Sequence, residues 1–289
     1  MPLDYRKLMA LPPREERARY TARDTILYAL GLGVGADDPL AEHTLRYVYE
    51  ERLQALPTMA VVIAYPGFWL KEPQYGVDWK RVLHGEQSLE LHRPLPIEAD
   101  VVSRLRIEEI YDKGADKGAL LLSSREIVDA GSGERYATLR SSAFLRGDGG
   151  CGGPREGAPK PHLVPARAPD LSVFNATRED QALIYRLSAD YNPLHIDPDV
   201  ARAAGFERPI LHGLCSYGVI GRAALGALCA HDATRFRQLD VRFSAPVYPG
   251  ETLRTDIWHQ GPGRAALRAR VQERDVVVVD NGLFVYEPA

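Results

Sequence analysis

The stretch "SADYNPLHIDP", residues 188–198, places a carboxylate and an imidazole five positions apart. Pro193 suits the first turn of a helix, and Asn192 can cap that helix with its side-chain oxygen. The spacing predicts a sharp turn with Asp190 outside the helix and His195 in its first turn. Groups placed in this way can converge on one water and move a proton near neutral pH. A second interpretation stays open, in which Asp190 only caps backbone donors and His195 lies at a polar surface.

A possible anion-binding element follows in "ERPILHGLCSYG", where the run "LCSYGVIGRAALGALCA" predicts an apolar helix beginning near Gly213. A glycine at a helix N-terminus lets a ligand approach the backbone closely. The free N–H groups and the positive end of the helix dipole can then hold a developing oxyanion. Alternatively, Gly213 only relieves crowding where the helix meets a sheet. An acid-base pair together with such a helix end indicates chemistry next to a carbonyl.

Metal and thiol chemistry are not predicted. "HIDPD" offers His195, Asp197 and Asp199, but the sequence has no HExxH or clustered His/Cys spacing, so the two aspartates are interpreted as first-turn helix charges. Cys215 falls within the apolar helix, where a cysteine is usually buried and inert. No role is predicted for the remaining histidines, which are His43, His92, His162, His231 and His259.

Composition indicates a soluble globular protein without a bulk field for nucleic acid or membranes. Of 289 residues 45% are hydrophobic, and 36 Lys+Arg against 39 Asp+Glu leave a net charge of -3. Three cysteines without CxxC spacing fit a reducing compartment, and the sequence has neither a signal-like apolar run nor a peroxisomal C-terminal address. The predicted location is the cytoplasm. "GLGVG" at 31–35 follows a predicted helix, which favours a glycine helix stop over a dinucleotide loop.

Glycine, proline and charge dominate residues 148–170, which we interpret as a linker between an N-terminal half, 1–147, and a C-terminal half, 171–289. A helix is predicted from Thr21. Strands are predicted at "TMAVVIAYPGF", "SLELHRPLP", "ADVVSRLRIEEIYDKG", "GALLLSSREIVDA", "ERYATLRSSAFLRG", "LDVRFSAPVYPGETLRTDIWHQ", "RAALRARVQER" and "VVVVDNGLFVYE".

The two halves repeat one pattern. "ELHRPLP" and "RFSAPVYP" each run a short strand into a proline-bounded turn, with further strands after it. One helix plus a run of antiparallel strands, given twice, predicts an internal duplication in the α+β class, each sheet wrapped around one mostly apolar helix. Because strands follow strands, a doubly wound parallel sheet is disfavoured.

The run "YRLSADYNPLHIDPDVARAAGFERPILHGLCSYG" resembles the signature of the MaoC-like, hydratase 2 family of R-specific enoyl-CoA hydratases. The resemblance extends from about residue 20 to the C-terminus and includes the hydratase 2 domain of the peroxisomal multifunctional β-oxidation enzyme. It rests on segments in the same order, "ILYALGLGVGADD", "RYVYEE", "LHGEQSLELHRPLP", "IYDKGADKGALLL" and "RFSAPVYPGETL". It implies a double hot dog fold in which only the C-terminal half keeps the hydratase motif.

By resemblance, Asp190 and His195 match the catalytic pair, Asn192 a water-orienting or structural partner, and Gly213 the oxyanion-hole glycine. The resemblance also implies that the thioester ligand meets His84, Gly85, Lys113 and Phe243. Ala189 departs from the family, which often has glycine at that position. The departure could change the turn slightly.

The resemblance implies reversible hydration of trans-2-enoyl-CoA to (3R)-3-hydroxyacyl-CoA in fatty acid metabolism, without a cofactor, because CoA is part of the substrate. Two alternatives remain. The same residues would serve a dehydratase acting in synthesis on a carrier-protein or specialised acyl-CoA thioester, and a thioester-binding module without turnover would share the fold. The expected partner besides the acyl-CoA is a second copy of the chain in a homodimer, with a monomer as the alternative.

Overall fold

The computed structural model describes residues 3–288, and its main feature is one ten-stranded sheet whose neighbours pair antiparallel. The strands are β1 (Arg14–Tyr20), β2 (Val82–Leu91), β3 (Ala99–Asp112), β4 (Ala119–Asp129), β5 (Arg135–Leu145), β6 (Leu171–Ala176), β7 (Phe236–Phe243), β8 (Thr252–His259), β9 (Arg264–Val271) and β10 (Val276–Tyr286). The helices are α1 (Tyr5–Met9), α2 (Ala22–Gly31), α3 (Glu42–Val48), α4 (Gln181–Tyr185), α5 (Pro198–Ala203) and α6 (Gly213–Cys229).

The strand order shows the duplication directly. The strand order in the sheet is β1-β3-β4-β5-β2-β7-β10-β9-β8-β6. From each edge towards the centre, the first half has the order β1-β3-β4-β5-β2 and the second half the corresponding order β6-β8-β9-β10-β7. The halves meet where β2 pairs with β7, with Leu89 opposite Leu239. This is the predicted double hot dog fold, with its two sheets continuous through the β2–β7 pair.

Helix α6 is the buried centre of the C-terminal half, as its apolar sequence predicts. It packs on the short turn that opposes it in the N-terminal half, where a Cβ on Gly221 would lie 2.6 Å from Cγ2 of Thr58. That contact requires glycine, because real Cβ atoms are not found so close to a neighbour. One continuous apolar core, containing Met59, Ile220 and Phe284 among others, therefore spans both halves.

The strand predicted at "TMAVVIAYPGF" is wrong. Pro57–Val61 forms a 3-10 turn whose five residues are all buried, and the chain bends again at Ala64, where φ is +45°. A short apolar run fits a buried strand and a buried helical turn equally well, so hydrophobicity could not decide between them. The N-terminal half thus has one helical turn at the position where the other half has α6.

The two edge strands were not predicted. β1 and β6 stand at the two edges of the sheet, and neither has the apolar alternation that marked the inner strands. The helix predicted from Thr21 is present as α2, and a capping box between Thr21 and Asp24 caps its N-terminus. The sheet of the N-terminal half was predicted to wrap around this helix, but α2 packs on α4 instead. A Cβ on Gly31 would lie 3.1 Å from Cα of Tyr185.

Between β5 and β6 the chain, described throughout this stretch, contains no helix or strand. His162 fastens it to the sheet, its two ring nitrogens lying 2.9 Å from the Gly282 carbonyl and 2.9 Å from the Gln260 side chain. Of the helices in residues 3–288, none combines the length and the apolar character needed to cross a bilayer.

Candidate active site

Three side chains converge at the turn between α4 and α5. Asp190, His195 and His212 each bring a carboxylate oxygen or ring nitrogen to within 4.8 Å of the others. His195 ends the 3-10 turn Pro193–His195, and Asn192 caps that turn by accepting a hydrogen bond from the Leu194 N–H at 3.1 Å. The predicted Asn-Pro turn is therefore present, as a 3-10 turn rather than an α-helix.

The tautomer of His195 follows from its partner. Nδ1 lies 2.8 Å from the Ile210 carbonyl oxygen, and a carbonyl can only accept, so Nδ1 carries the hydrogen. Nε2 is left free to take a proton. On the acid, Oδ1 of Asp190 accepts from the Asn192 N–H at 3.2 Å, which leaves the second carboxylate oxygen without a partner among the hydrogen bonds of residues 3–288. One proton-accepting atom on each side chain thus remains free for a shared water.

His212 is a site residue to which sequence reasoning gave no role. Its Nε2–H donates to the main-chain oxygen of Asp190 at 3.1 Å, and its ring stacks on that of His195 with centroids 3.8 Å apart. The turn that carries the acid-base pair is consequently fastened twice to the start of α6, once through Ile210 and once through His212. The available signal was a polar residue immediately before an apolar helix, which is weak.

Burial keeps both imidazoles neutral. It lowers the pKa of His195, an effect that the Ile210 carbonyl and the Asp190 charge oppose. Burial, followed by the neighbouring His195, lowers the pKa of His212 to about 3. A neutral His195 with Nδ1 protonated is the form that can act as a base at Nε2.

These shifts predict that the protein loses stability as the pH falls below about 6.5, the ordinary histidine value. The unfolded chain then binds protons that the folded state refuses, and each histidine held neutral contributes a slope of about 1.4 kcal/mol per pH unit. Urea unfolding at pH 7.5 and pH 5.5 would measure it. His212→Gln should show a shallower loss than wild type over this range, and an equal or steeper loss would contradict the assignment.

The turn is strained at Ala189, where the resemblance leads one to expect glycine. Ala189 adopts φ +89° and ψ 10°, the left-handed region that glycine occupies at little cost. An alanine there costs about 1 kcal/mol or more. Alanine at this position therefore strains the turn, and a change of the turn relative to a glycine in the family stays a prediction.

Gly213 is the first residue of α6, as predicted, and its surroundings are open on one side. A Cβ there would come no closer than 3.5 Å to Phe243, an ordinary contact, so packing does not demand glycine. Among residues 3–288, the first N–H of α6 that donates to the His212 carbonyl is that of Cys215. The N–H groups before it, including that of Gly213, are therefore the free donors of a helix start. The ring of Phe243 lies 5.0 Å from that of His84, which joins His84 to this group.

Gly85 and Lys113 are the other two predicted ligand residues. Gly85 follows His84 at the β2 bulge, where a Cβ would meet Oγ of Ser142 at 2.7 Å. Lys113 begins the turn after β3, with Nζ 5.3 Å above the Tyr111 ring. Within residues 3–288, no side-chain hydrogen bond or ion pair joins Lys113 to Asp190 or His195, so its ligand role stays a prediction.

Metal binding was not predicted, and the geometry gives it little support. Asp190, His195 and His212 are near enough to surround an ion. However, an imidazole lone pair lies in the plane of its ring, and two rings that stack with centroids 3.8 Å apart and planes tilted by 29° are not placed edge-on around one point, as two ligands of one ion would be. Asp197 instead caps α5, accepting from the Asp199 N–H at 2.8 Å.

Cys215 is fully buried in α6, and burial raises the pKa of its thiol to about 12. A thiol that stays protonated at neutral pH is a poor nucleophile. The predicted burial of Cys215 is confirmed, and its inertness stays a prediction.

Two family models match this chain. Residues 19–147 match the N-terminal domain of MFE-2 hydratase 2, and residues 162–281 match the MaoC like domain. The chain belongs to the MaoC-like, hydratase 2 family. The N-terminal half thus matches one domain model and the C-terminal half the other.

Family relatives match along nearly the whole chain. A protein of Mycobacterium tuberculosis named 3-hydroxyacyl-thioester dehydratase Y is 42% identical over 92% of this chain and 93% of its own. A probable enoyl-CoA hydratase 2 of Dictyostelium discoideum is 38% identical over 100% of this chain and 98% of its own. The crystal structure of a MaoC-like dehydratase from Phytophthora capsici superposes with a TM-score of 0.87, at 36% identity, covering 98% and 99% of the two chains.

Proposed function

We propose that this hydratase 2 family member catalyses the reversible hydration of trans-2-enoyl-CoA to (3R)-3-hydroxyacyl-CoA in fatty acid metabolism. The observation that carries the proposal is the convergence of Asp190 and His195, each with a free proton-accepting atom, beside the start of α6 at Gly213. Relatives that match over 92% and 100% of this chain are named a 3-hydroxyacyl-thioester dehydratase and a probable enoyl-CoA hydratase, which supports the same reaction.

In the proposed mechanism, Nε2 of His195 and the free oxygen of Asp190 hold one water between them. As the water oxygen attacks C3 of the alkene, one of the two groups removes a proton from the water, and that proton then passes to C2, directly or by way of the other group. The charge that develops on the thioester oxygen is met by the Gly213 N–H and the positive end of α6. Water is thereby added across the double bond, and the pair returns to its starting protonation after one proton exchange.

We further propose that the CoA thioester is held by the predicted ligand residues. Phe243 and His84 lie against the opening at Gly213 and would line the thioester, with Gly85 beside them. Lys113 would meet a CoA phosphate, because a flexible ammonium suits that role in a chain with a net charge of -3. Asn192 would act through structure, since its side chain is committed to the turn.

The proposal extends to the setting of the reaction. It needs no cofactor, since acid, base and oxyanion donors are all supplied by the chain. The division into 1–147, 148–170 and 171–289 would separate an acyl- and CoA-binding half from the half with the motif. We place the protein in the cytoplasm as a homodimer, with a monomer as the alternative, and with neither nucleic acid nor a membrane as a partner.

The reaction can be tested on purified protein with crotonyl-CoA. Loss of the enoyl absorbance should be observed, and the product should be oxidised by an R-specific but not an S-specific 3-hydroxyacyl-CoA dehydrogenase. Absence of turnover on short, medium and long enoyl-CoA would favour the alternative of a thioester-binding module instead.

A second candidate is a dehydratase that works in synthesis, which the name of the 42% identical relative favours. The same residues would run it, because the catalyst of a reversible reaction serves both directions. Comparing kcat/KM for CoA and carrier-protein thioesters of one acyl chain separates the two candidates. A clear preference for the carrier-protein thioester would support the synthetic role.

A further inference from the structure

A buried carboxylate holds the turn that carries Lys113. Asp112 is the last residue of β3 and is 6% exposed. Its Oδ1 accepts hydrogen bonds from the Gly114 N–H at 2.8 Å and the Gly150 N–H at 2.9 Å, and its Oδ2 accepts one from the Gly152 N–H at 3.0 Å. These donors, of which Gly152 contributes most, stabilise the charged form and hold the pKa of Asp112 below its ordinary value. The carboxylate therefore joins the β3–β4 turn to the chain just after β5.

The β3–β4 turn and the chain after β5 are in direct contact. A Cβ on Gly149 would lie 2.0 Å from the main-chain oxygen of Gly114, so only glycine allows this approach. The Asp112 N–H donates to the Pro154 carbonyl at 2.9 Å, which adds a main-chain bond to those that the side chain accepts. Residues 149–157 therefore form the support against which the turn is fixed.

The same support fixes the starting point of the Lys113 side chain. The Lys113 N–H donates to the Gly118 carbonyl at 3.0 Å, which closes the turn. The Lys113 ammonium lies 5.3 Å above the Tyr111 ring, and the hydroxyl of that ring donates to the Gly157 carbonyl at 2.9 Å. A lysine side chain has many rotamers, so a fixed backbone and a fixed ring reduce the entropy that it loses when it binds a ligand.

The strand register places this turn at the end of the sheet where His84 lies. Asp112, at the end of β3, is in register with Val82, at the start of β2, through the first residue of β4 and the last residue of β5. Three strand spacings of about 4.8 Å put the turn roughly 14 Å from the start of β2 along the sheet. CoA carries its phosphates beyond an extended pantetheine arm, so a thioester beside His84 leaves them within reach of Lys113.

We propose that Asp112 is a positioning residue for recognition of the CoA phosphates: it fixes the β3–β4 turn against residues 149–157 and so presents the Lys113 ammonium to a phosphate. The inference rests on the proposed function, in which Lys113 meets a CoA phosphate, and deepens it. The Asp112 carboxylate binds main-chain N–H groups, so it acts through the lysine and not on the substrate. The chain between the two halves thereby takes part in substrate recognition.

The test is Asp112→Ala, assayed on crotonyl-CoA and on crotonyl-pantetheine, which has the same thioester but no phosphate. We expect KM for crotonyl-CoA to rise about fivefold, the size of one charged contact at a surface, with kcat within about twofold of wild type. Both constants for crotonyl-pantetheine should stay within about twofold of wild type. Asp112→Asn replaces one accepting oxygen by an NH2 group and should raise KM for crotonyl-CoA about threefold. It decides the matter if the alanine variant does not fold.

Asp129→Ala is the matched control. Asp129 ends β4 as Asp112 ends β3, and its Oδ1 accepts from the N–H groups of Gly131 and Ser132 at 3.0 and 2.7 Å. It lies opposite Val101, at the other end of the sheet. This variant loses a comparable turn and should change KM for neither thioester. A rise in KM for crotonyl-CoA equal to that of Asp112→Ala would overturn the inference.

Lys113→Ala, alone and combined with Asp112→Ala, tests whether the two residues act through one contact. It should raise KM for crotonyl-CoA as much as Asp112→Ala does, and the double variant should raise it no further. Losses that multiply would contradict the inference, and so would an equal loss on both thioesters, which indicates a general structural role.

The failure of this inference can be told apart from that of the proposed function. If Lys113→Ala raises KM for crotonyl-CoA and Asp112→Ala does not, only the positioning role is wrong. If Lys113→Ala leaves KM for crotonyl-CoA as in wild type, the phosphate contact is absent and the inference falls with it. If wild type turns over neither thioester, the proposed function itself has failed, and the inference that rests on it fails too.

Discussion

Asp190→Asn should lower kcat for crotonyl-CoA hydration by about 10²–10⁴, the range for losing a positioned acid-base group. The amide keeps an oxygen that can accept from the Asn192 N–H, as Oδ1 of Asp190 does at 3.2 Å, so the turn should persist. It cannot take or give the proton. The rate of loss of enoyl absorbance gives kcat, and thermal unfolding within a few degrees of wild type would show that the fold is intact.

Asp199→Asn is the control for that experiment. It makes the same chemical change nine positions along the chain, at a carboxylate that is exposed and pairs with Arg202 at 2.5 Å, so its activity should match wild type. If Asp190→Asn retained kcat within threefold of wild type, the assignment of Asp190 would be wrong. His195 would then have to act with a different partner.

Gly213→Pro should lower kcat by about 10²–10³, the typical loss for one oxyanion donor. Proline is favoured at the first position of a helix, and His212 before it already has φ -56° and ψ 132°, which suits the residue preceding a proline. The substitution therefore removes the N–H without breaking α6. Steady-state kinetics on crotonyl-CoA, with unfolding midpoints for both proteins, would measure the effect.

Gly213→Ala separates the donor from the space around it. It adds a Cβ that the protein accommodates, at 3.5 Å from Phe243, and it keeps the N–H. We expect mainly a higher KM, with kcat reduced much less than in the proline variant. Equal kcat values for the two variants would count against an oxyanion role for the Gly213 N–H.

The parts of the site that could be predicted from the sequence are those set by local chemistry. The cap of Asn192 on the turn at Pro193 and the start of α6 at Gly213 depend on residues a few positions apart. Those preferences are properties of the backbone and of short polar side chains, so they can be read without the fold.

The rest depends on long-range contacts. His212 reaches the carbonyl of Asp190 across 22 positions, and Arg125 reaches that of Ile63 across 62. Nothing in either neighbourhood of the sequence marks such a partner. The strand predicted from Thr58 was wrong for a related reason. The residues of that run are buried by α6 and the sheet, so their hydrophobicity does not report a strand period of their own.

Neither half of the molecule completes its own core, because Pro57–Val61 packs on α6 and β2 finds its outer partner in β7. The chain therefore resembles a dimer whose two subunits are joined in one polypeptide. The stretch between β5 and β6 joins the two halves covalently, which makes their association an intramolecular event at a high effective concentration.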